Sequence, residues 1–393
     1  MRQDMPRLTN SDIAELTDWR RELHRFPELS GQEMATAARV AAVLRATGPD
    51  RIITGLGGHG VAALYDGAGT GPRVLLRCEL DALPIAERSG APHRSTMPGK
   101  GHLCGHDGHM AMIAAMARLL GRSRPARGSV VLMFQPAEED GSGAARVVED
   151  PAFAGLRPDF AFAIHNMPGM PLGEVALAEG PSACASRGMR IGLIGKTAHA
   201  SQPETGLSPM AALAQLMPAL TALGQGGDPL GDPDFALATV THARLGEPAF
   251  GIAPGAADLF VTLRSLTDAR MARLVHDAET LVRQAARAAG LTPEITYEDV
   301  FTTTASDPEA VALASRALDR LGLPHGRGPL PMRPSEDFGR FGETCALAFL
   351  LLGSGKAHPA LHNPDYDFPD ALIPTGAAIF AAITDEILGF SSG

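Results

Sequence analysis

The amino-acid sequence predicts an α/β protein with a mainly parallel sheet that carries an inserted α+β domain. Three observations lead to this fold class. The chain has 393 residues, which is long for a single core. Apolar runs of strand length alternate with segments of helical period over much of the chain, and a middle stretch shows a different order of elements.

Four compact apolar runs have the length and composition of buried strands. They are RVLLRCEL (73–80), SVVLMFQ (129–135), DFAFAIH (159–165) and CALAFLLLG (345–353). Continuous apolar runs bounded by turn residues are typical of strands covered on both faces of a sheet. Between the first two lies DGHMAMIAAMARLLGR, a helical pattern predicted to begin near Gly108 and to end at Gly121. Strands that alternate with helices indicate a largely parallel sheet.

The stretch from 187 to 297 has another pattern. The strand RGMRIGLIGK precedes the helix SPMAALAQLMPALTALG, and two strands, a long helix and the strand TPEITYED follow. The order β-α-β-β-α-β is that of a split βαβ unit, the ferredoxin-like arrangement. We therefore expect an α/β domain in two segments, 1–186 and 298–393, with an inserted α+β domain over 187–297.

The composition argues against several kinds of partner. The formal net charge is −10 at pH 7, which is unfavourable for holding a nucleic acid by its phosphates. No apolar run approaches the ~20 residues that cross a bilayer, and the first residues lack the apolar stretch of a signal peptide. The four cysteines lie far apart in a chain too large to need disulfides. We expect a cytoplasmic protein without nucleic-acid or membrane partners.

Polar side chains follow the end of each predicted strand. Ligands bind beyond the carboxyl ends of the strands in open α/β sheets, so these side chains should meet at one edge. In chain order they are Glu79 and Asp81, Glu138 and Glu139, His165, and His358 and His362. Carboxylates and imidazoles both bind metals, and their arrival from four separate segments indicates a metal site.

The segment GHLCGHDGHM (101–110) adds a fifth group of metal-binding side chains. Cys104 and His106 are two residues apart, so they do not share a helix face, but a turn can direct both inward. They precede the predicted helix, whose N-terminal dipole should favour a thiolate at Cys104. An isolated C-x-H is more often a packed cysteine beside a polar loop. Here the carboxylates and histidines predicted at the same edge of the sheet favour a metal site.

The other histidines are assigned different roles. His102 and His109 are predicted to support the site rather than to bind metal, because His109 falls one turn into the predicted helix. His24 and His59 lie in polar stretches of sequence and are predicted to be on the surface.

The donor types indicate which metals the site would hold. Thiolate, imidazole and carboxylate together suit Zn, Mn, Co or Ni better than Mg or Ca. The candidate ligands exceed what one tetrahedral ion needs, so we expect two ions with a shared ligand. The neighbours Glu138 and Glu139 point in different directions, so one can bind metal while the other accepts a proton from water. A solvated acidic turn is the alternative, and the position directly after a buried strand argues against it.

Eight motifs in order along nearly the whole chain resemble those of one family. They are WRRELHRFPELSGQE (19–33), LRCELDALPI (76–85), GHLCGHDGHMAM (101–112), FQPAEEDGSGA (134–144), AIHNMPGMPLGEV (163–175), GKTAHASQPETGLSPMAA (195–212), PSEDF (334–338) and LHNPDYDF (361–368). Together they resemble the M20 metallopeptidase-like amidohydrolases, in particular the branch of aminoacylases, hippurate hydrolases and auxin-conjugate hydrolases.

This resemblance implies a dinuclear hydrolase that cleaves N-acyl-L-amino acids into a carboxylic acid and an amino acid. The cofactor is then two divalent ions, with Mn or Zn favoured over Co or Ni. The implied metal ligands are Cys104, His106, Glu139, His165 and His362. Glu138 matches the general base, and His199 matches a histidine that supports the substrate's carbonyl or carboxylate. The inserted domain is expected to act as a lid and to form a homodimer.

Some positions depart from the family pattern. The second motif usually reads RAD-x-DALP, whereas Cys78 and Glu79 replace its small residue and its aspartate here. Asp81 is retained and is expected to orient a ligand histidine. Gly251 stands where relatives commonly have an asparagine that helps to bind substrate, which puts recognition of the substrate in doubt. Arg264 is a candidate clamp for the substrate carboxylate, with an exposed strand-end role as the alternative.

Three other functions stay open from the sequence. A dipeptidase of the same superfamily would need an acidic group for the free amine, which the sequence does not locate. A thiol hydrolase would use Cys104 with His106 or His109, and a chelator would leave it active. A non-catalytic binding protein on this scaffold would not need the carboxylate of Glu138.

Overall fold

A computed structural model describes residues 5–391, which divide into two compact units. The first unit comprises residues 5–182, 304–330 and 337–391. The second comprises residues 183–303 and 331–336. The second unit is therefore an insertion in the first, formed by one long segment and one short segment of the chain.

Eight α-helices and sixteen strands are formed by the described residues. The helices are α1 (Asn10–Arg25), α2 (Met34–Arg45), α3 (His106–Arg122), α4 (Gly143–Glu149), α5 (Met210–Thr221), α6 (Asp268–Ala288), α7 (Pro308–Leu321) and α8 (Leu372–Leu388). The strands are β1 (Arg51–Leu56), β2 (Gly60–Asp66), β3 (Gly69–Glu79), β4 (Arg127–Gln135), β5 (Phe160–Pro168), β6 (Val175–Ala176), β7 (Gly180–Ala183), β8 (Ala185–Ile194), β9 (Ala198–His199), β10 (Ala236–Leu245), β11 (Ile252–Ala253), β12 (Ala256–Ser265), β13 (Thr292–Phe301), β14 (Thr304–Ser306), β15 (His325–Gly326) and β16 (Ala346–Gly355). None of the helices in the described part of the chain is both long and apolar enough to cross a membrane.

The first unit is built on an eight-stranded sheet in the order β1-β2-β4-β3-β5-β16-β6-β15. The four apolar runs of the sequence form its centre, where β4, β3, β5 and β16 are parallel neighbours. Because these strands run in the same direction, their carboxyl ends lie along one edge of the sheet. The two outer strands β1 and β2 are antiparallel to their neighbours. The prediction of an α/β protein with a mainly parallel sheet is confirmed.

The sequence predicts that helix α3 begins near Gly108. In the structure it begins two residues earlier, at His106. Gly105 precedes it in a left-handed conformation with φ of 92°, which a glycine adopts without strain. A Cβ atom at Gly105 would lie 2.0 Å from Oδ1 of Asn166, and one at Gly108 would lie 2.2 Å from the ring of Phe368. Gly105 therefore allows the start of the helix to approach β5 closely, and Gly108 allows it to pack against the loop between β16 and α8.

The second unit contains a four-stranded antiparallel sheet in the order β10-β12-β8-β13. Alternate residues of β12 are buried, and its buried side chains share a core with residues of α5 and α6. The elements follow the chain in the order β8-α5-β10-β12-α6-β13, which is the β-α-β-β-α-β order of the split βαβ unit. The predicted α+β insertion is thus present in the fold.

Candidate metal centre

Five side chains that the sequence predicts as ligands come together in the first unit. Cys104 precedes α3, His106 begins it, Glu139 follows β4, His165 lies in β5 and His362 lies between β16 and α8. We call these five residues the donor set. Two triads contain them, Cys104 with His106 and His165, and Cys104 with Glu139 and His362, and the ligand atoms of each triad lie within 4.8 Å of one another. The two triads share the sulfur of Cys104.

The donor atoms within each triad are close enough to bind the same cation. Sγ of Cys104 is 3.5 Å from Nε2 of His165, and Nε2 of His362 is 3.7 Å from Oε2 of Glu139. Ligands bound about 2.0–2.3 Å from a tetrahedral ion lie roughly 3.3–3.8 Å apart. Nε2 of His106 and Oε1 of Glu139 are buried and form no hydrogen bond with the described residues. The residues therefore fit a bound metal.

The two buried histidines of the donor set are held by their other ring nitrogen. Nδ1 of His106 lies 2.9 Å from the carbonyl oxygen of Asp81, and Nδ1 of His165 lies 2.7 Å from that of Asn166. An Nδ1–H that donates to a carbonyl leaves the lone pair of Nε2 directed at the cluster. The carboxylate of Asp81 is farther from His106, at 3.5 Å, and accepts instead from the amide of Glu139 at 2.9 Å.

Electrostatics within the chain work against ionisation of its own acidic donors. Burial, together with the charges of Glu139 and Glu138, raises the pKa of the Cys104 thiol well above its usual value. Burial also raises the pKa of Glu139 to about 7. In the chain alone, burial and the neighbouring carboxylates therefore oppose the thiolate that the helix dipole favours at Cys104. A divalent cation would reverse the balance, because it stabilises both anions.

The carboxylate of Glu138 lies beside the donor set, with Oε2 3.9 Å from Nε2 of His106. Glu138, Glu139 and His106 have ligand atoms within 4.8 Å of one another, so the two adjacent acids approach the same imidazole. Glu138 is almost completely buried. A second carboxylate therefore lies next to the metal-binding atoms of the donor set. That Glu139 binds metal while Glu138 handles the proton stays a prediction for this pair.

Two residues that the sequence places near the site form a second buried layer. Nδ1 of His109 is 2.6 Å from Oε2 of Glu79, and Nε2 of His109 is 2.7 Å from Oδ1 of Asn166. Glu79 also forms a buried ion pair with Arg77, whose guanidinium binds Asp337 at 2.7 Å. Glu79, which stands where the family usually has aspartate, therefore binds both His109 and Arg77. His109 contacts the ring of His165 edge-on, with 4.7 Å between ring centroids.

A second buried cluster, which sequence reasoning missed, adjoins the start of α3. Its members, which we call the Arg20 network, are Arg20, His24, Glu87, His93, Asp107, Asp367 and Asp370. Arg20 lies 3.0 Å from Asp107 and 2.6 Å from Asp367, and His24 lies 2.9 Å from Asp107. The prediction that His24 is on the surface is wrong, since its partners come from distant segments that bury it completely.

His358 does not join the donor set. Its Nε2 lies 2.7 Å from the carbonyl oxygen of Asp367, within the loop that carries His362. His362 itself has a left-handed backbone with φ of 64°, and its amide donates to the carbonyl of Leu103 at 2.8 Å. The loop is thereby tied to the residue directly before Cys104.

The remaining predicted site residues lie in the second unit. His199 is exposed in β9, which pairs with β11, and its Nδ1 accepts from the hydroxyl of Ser201 at 2.7 Å. Arg264 lies in β12 and donates from Nη1 to the carbonyl of Arg333 at 3.2 Å and to Oγ of Ser335 at 2.9 Å. Within the second unit, Arg264 therefore binds the segment that carries Arg333 and Ser335.

Comparisons with known proteins give the family. Residues 75–386 match peptidase family M20/M25/M40. The chain is 31% identical over 356 residues to the N-acetyl-L-cysteine deacetylase of Bacillus subtilis (strain 168), a match that covers 90% of this chain and 83% of that protein. It is 31% identical over 374 residues to the hippurate hydrolase of Campylobacter jejuni, covering 94% of this chain and 95% of that protein.

A solved structure agrees with these matches. A Bacillus subtilis protein described as a dinuclear metal-binding peptidase of the M20 family superposes with a TM-score of 0.81 at 26% identity, covering 97% of this chain and 99% of that one. The chain thus belongs to peptidase family M20/M25/M40. The resemblance drawn from the motifs is confirmed, and so is the prediction that the protein is a metal-dependent amidohydrolase.

Proposed function

We propose that this protein hydrolyses the amide bond of N-acyl-L-amino acids to give a carboxylic acid and a free amino acid. The observation that carries the proposal is the geometry at Cys104, whose sulfur belongs to two donor triads with Glu138 close by. The N-acetyl-L-cysteine deacetylase and the hippurate hydrolase, both 31% identical, have substrates of this class by name. Substrates with small or aromatic acyl groups are therefore the first to test.

The donor set would hold two divalent ions, Mn or Zn in preference to Co or Ni, with Cys104 as the shared ligand. His106 and His165 would complete one site, and Glu139 and His362 the other. Such ions supply Lewis acidity, which polarises an amide carbonyl and lowers the pKa of water. The raised pKa values of Cys104 and Glu139 support this assignment, because both groups gain most from a nearby cation.

Glu138 is the residue that moves the proton. Its carboxylate accepts a proton from the attacking water as the new bond forms between water oxygen and acyl carbon. The same proton then passes to the amide nitrogen as the carbon–nitrogen bond breaks, which releases the amino acid as an amine. His199 is proposed to support the substrate's carbonyl or carboxylate. Arg264 could clamp the carboxylate only if it exchanged its contacts with Arg333 and Ser335 for the substrate.

The test combines metal analysis with a panel of N-acetyl, N-benzoyl and longer N-acyl amino acids together with dipeptides. Glu138→Gln should lower kcat by about 10²–10⁴-fold on the best substrate while the bound metal stays at the wild-type level. Asp140→Asn is a matched control, since Asp140 belongs to the same acidic run but accepts from the amide of Ser142 at 2.9 Å. Wild-type turnover in Glu138→Gln would show that the proposed mechanism is wrong.

A peptidase is the second candidate. The chain is 30% identical over 373 residues to thermostable carboxypeptidase 1 of Saccharolobus solfataricus, a match covering 92% of this chain and 93% of that protein. The same panel separates the two functions, because a peptidase would hydrolyse the dipeptides faster than the N-acyl amino acids. A thiol hydrolase is disfavoured by the raised pKa of Cys104, and treatment with EDTA should abolish activity.

We also propose that the protein forms a homodimer through the second unit. Phe250 is fully exposed, and Ile252 and Leu245 are exposed in the same β10–β12 connection and its flanks. Exposed apolar side chains grouped in this way are typical of an interface. Light scattering should give twice the protomer mass, and Phe250→Ser should shift the equilibrium toward the monomer.

All four cysteines are free, which fits a reducing compartment, and we propose the cytoplasm as the location.

A further inference from the structure

The backbone directly before Glu138 is held in an unfavourable conformation. Ala137 is completely buried and has φ of 50°, in the left-handed region that residues with a Cβ atom rarely adopt. Such a conformation is strained relative to a right-handed one, because the Cβ atom comes too close to the following carbonyl oxygen. Surrounding contacts must therefore hold the turn, and they decide where the side chain of Glu138 points.

Two buried carboxylates hold the main chain on either side of Glu138. The amide of Ala137 donates to Oε1 of Glu33 at 2.8 Å, and the amide of Glu139 donates to Oδ2 of Asp81 at 2.9 Å. The carbonyl of Ala137 accepts from the amide of Gly143 at 2.9 Å. Charge-assisted bonds to amides are among the stronger hydrogen bonds in proteins. The conformation at Ala137 thus depends on Glu33.

Glu33 is in a position where its side chain would be expected to do something else. It is the residue before the first turn of α2, where an acidic side chain normally accepts from the amides of the helix. Glu28 does this instead, with Oε2 2.7 Å from the amide of Thr36 and Oε1 3.3 Å from that of Ala35. The carboxylate of Glu33 caps nothing in α2 and is directed into the interior at Ala137.

Burying the carboxylate of Glu33 is unfavourable, and helix α2 does not need it there as a cap. The residue has no exposed surface, and burial together with the charge of Asp81 raises the pKa of its carboxyl, while the amides of Gly31 and Ala137 act in the opposite direction. A buried carboxylate is expensive unless its bonds serve a purpose. Here the bond that reaches another segment of the chain is the one to Ala137.

We propose that Glu33 is a positioning residue for the general base, because it fixes the left-handed turn at Ala137 that directs Glu138. This inference rests on the proposed role of Glu138. Without the acceptor, Ala137 relaxes to a negative φ and Glu138 turns away from the reacting atoms. The amide of Glu139 keeps its bond to Asp81, so the metal ligands stay in place.

The first experiment compares Glu33→Ala, Glu33→Gln and Glu28→Ala by kcat, KM, bound metal and thermal midpoint. Glu33→Ala should lower kcat about 10–100-fold, with KM and bound metal unchanged, because a carboxylate misplaced by about 1 Å loses that much. Glu33→Gln keeps an oxygen acceptor for Ala137 and should retain most of kcat. Glu28→Ala removes comparable carboxylate–amide bonds from the same segment and should lower the thermal midpoint without lowering kcat.

The second experiment is a rescue with Ala137→Gly. Glycine populates positive φ readily, so Glu33→Ala combined with Ala137→Gly should recover part of the lost kcat. Equal kcat in Glu33→Ala and wild type, or loss of metal in parallel with kcat, overturns the inference. Glu138→Gln is measured alongside. If it loses turnover while Glu33→Ala does not, only the inference fails, and if it retains turnover the proposed function fails.

Discussion

Two buried polar regions on either side of the start of α3 are built on opposite principles. In the Arg20 network, charged atoms pair at 2.6–3.2 Å, and each cation of the network faces carboxylates. In the donor set, the nearest approaches are 3.5–3.8 Å, and buried atoms of His106 and Glu139 lack hydrogen bonds. Buried atoms of the network, such as Nε of Arg20 and Oδ1 of Asp107, also lack hydrogen bonds within the described residues. The regions therefore differ in their spacing: opposite charges are in direct contact in the network, whereas the atoms of the donor set are spaced as ligands of a shared cation are.

The two regions are also connected, which explains why the network lies where it does. Arg20 binds Asp107, the residue after His106, and Asp367, in the loop that carries His362. One guanidinium thereby joins the two chain segments that carry His106 and His362. A buried ion-pair network can act as a rigid support for a group of ligands that repel one another.

The largest expected effect comes from removing the atom that both triads share. Cys104→Ser should lower bound metal at both sites and kcat/KM by at least about 10³-fold, since a hydroxyl is a far weaker ligand than a thiolate. Metal content by mass spectrometry and kcat/KM are the measurements. Cys345→Ser, at a cysteine outside the donor set whose Sγ lies 3.2 Å from the carbonyl oxygen of Phe341, should change neither. Loss of a single ion with the second bound normally would show that Cys104 is not shared.

The next effect tests the network. Arg20→Met removes the buried guanidinium from Asp107, Asp367 and Asp370, leaves His24 as the remaining partner of Asp107, and should lower the free energy of unfolding by about 3–5 kcal/mol. Arg21→Met is the matched control, because Arg21 binds the same Asp370 at 2.7 Å but is 40% exposed, and its loss should cost no more than about 1 kcal/mol. Urea unfolding of the metal-free protein measures both. Similar losses in the two variants would mean that burial does not distinguish the pairs.

The sequence was sufficient for the fold class because its signals were local. The four apolar runs became β3, β4, β5 and β16, and the order of elements in 187–297 identified the split βαβ unit. The strand-end rule then predicted which side chains would meet, and the structure places five of them within two triads. Their roles as ligands stay predictions until metal is measured.

Other features could not be predicted because they depend on pairs far apart in the chain. Arg20 and Asp367 are 347 positions apart, and Glu33 and Ala137 are 104 apart. In sequence, Arg20 and His24 have the spacing of a solvated helix face. Whether Cys104 ionises depends on burial and on neighbouring carboxylates that the helix-dipole rule does not include.

Metal removal should separate the two regions by their stability. A metal at 100 times its Kd stabilises the folded state by about 3 kcal/mol, so dialysis against a chelator should lower the thermal midpoint and Zn or Mn should restore it. The thermal midpoint of Arg20→Met should still rise when metal is added. The rise should be smaller in Glu139→Gln, since Glu139 belongs to the donor set. A chelator that leaves the midpoint of the wild-type protein unchanged contradicts the view that the donor set completes itself with a cation.

The smallest effect is a pH dependence that belongs to the network alone. Burial lowers the pKa of His24, but the carboxylates of Asp107 at 2.9 Å and Glu87 at 3.2 Å outweigh it and raise the pKa to about 9. Since the unfolded pKa is near 6.5, charged His24 contributes its full stabilisation below that pH and loses it as the pH rises through 9. The metal-loaded protein should therefore lose about 2 kcal/mol of unfolding free energy between pH 6.5 and 8.5.

Two variants show whether that slope comes from His24. His24→Gln cannot gain a proton, so its unfolding free energy should vary less over the same pH range, even though the variant is less stable at pH 6.5. Glu87→Gln removes one of the two carboxylates, so the loss of stability should begin at a lower pH. A wild-type slope in His24→Gln would show that another group titrates, and the contrast between an ion-paired network and a donor set spaced for a cation would then lose its support from pH.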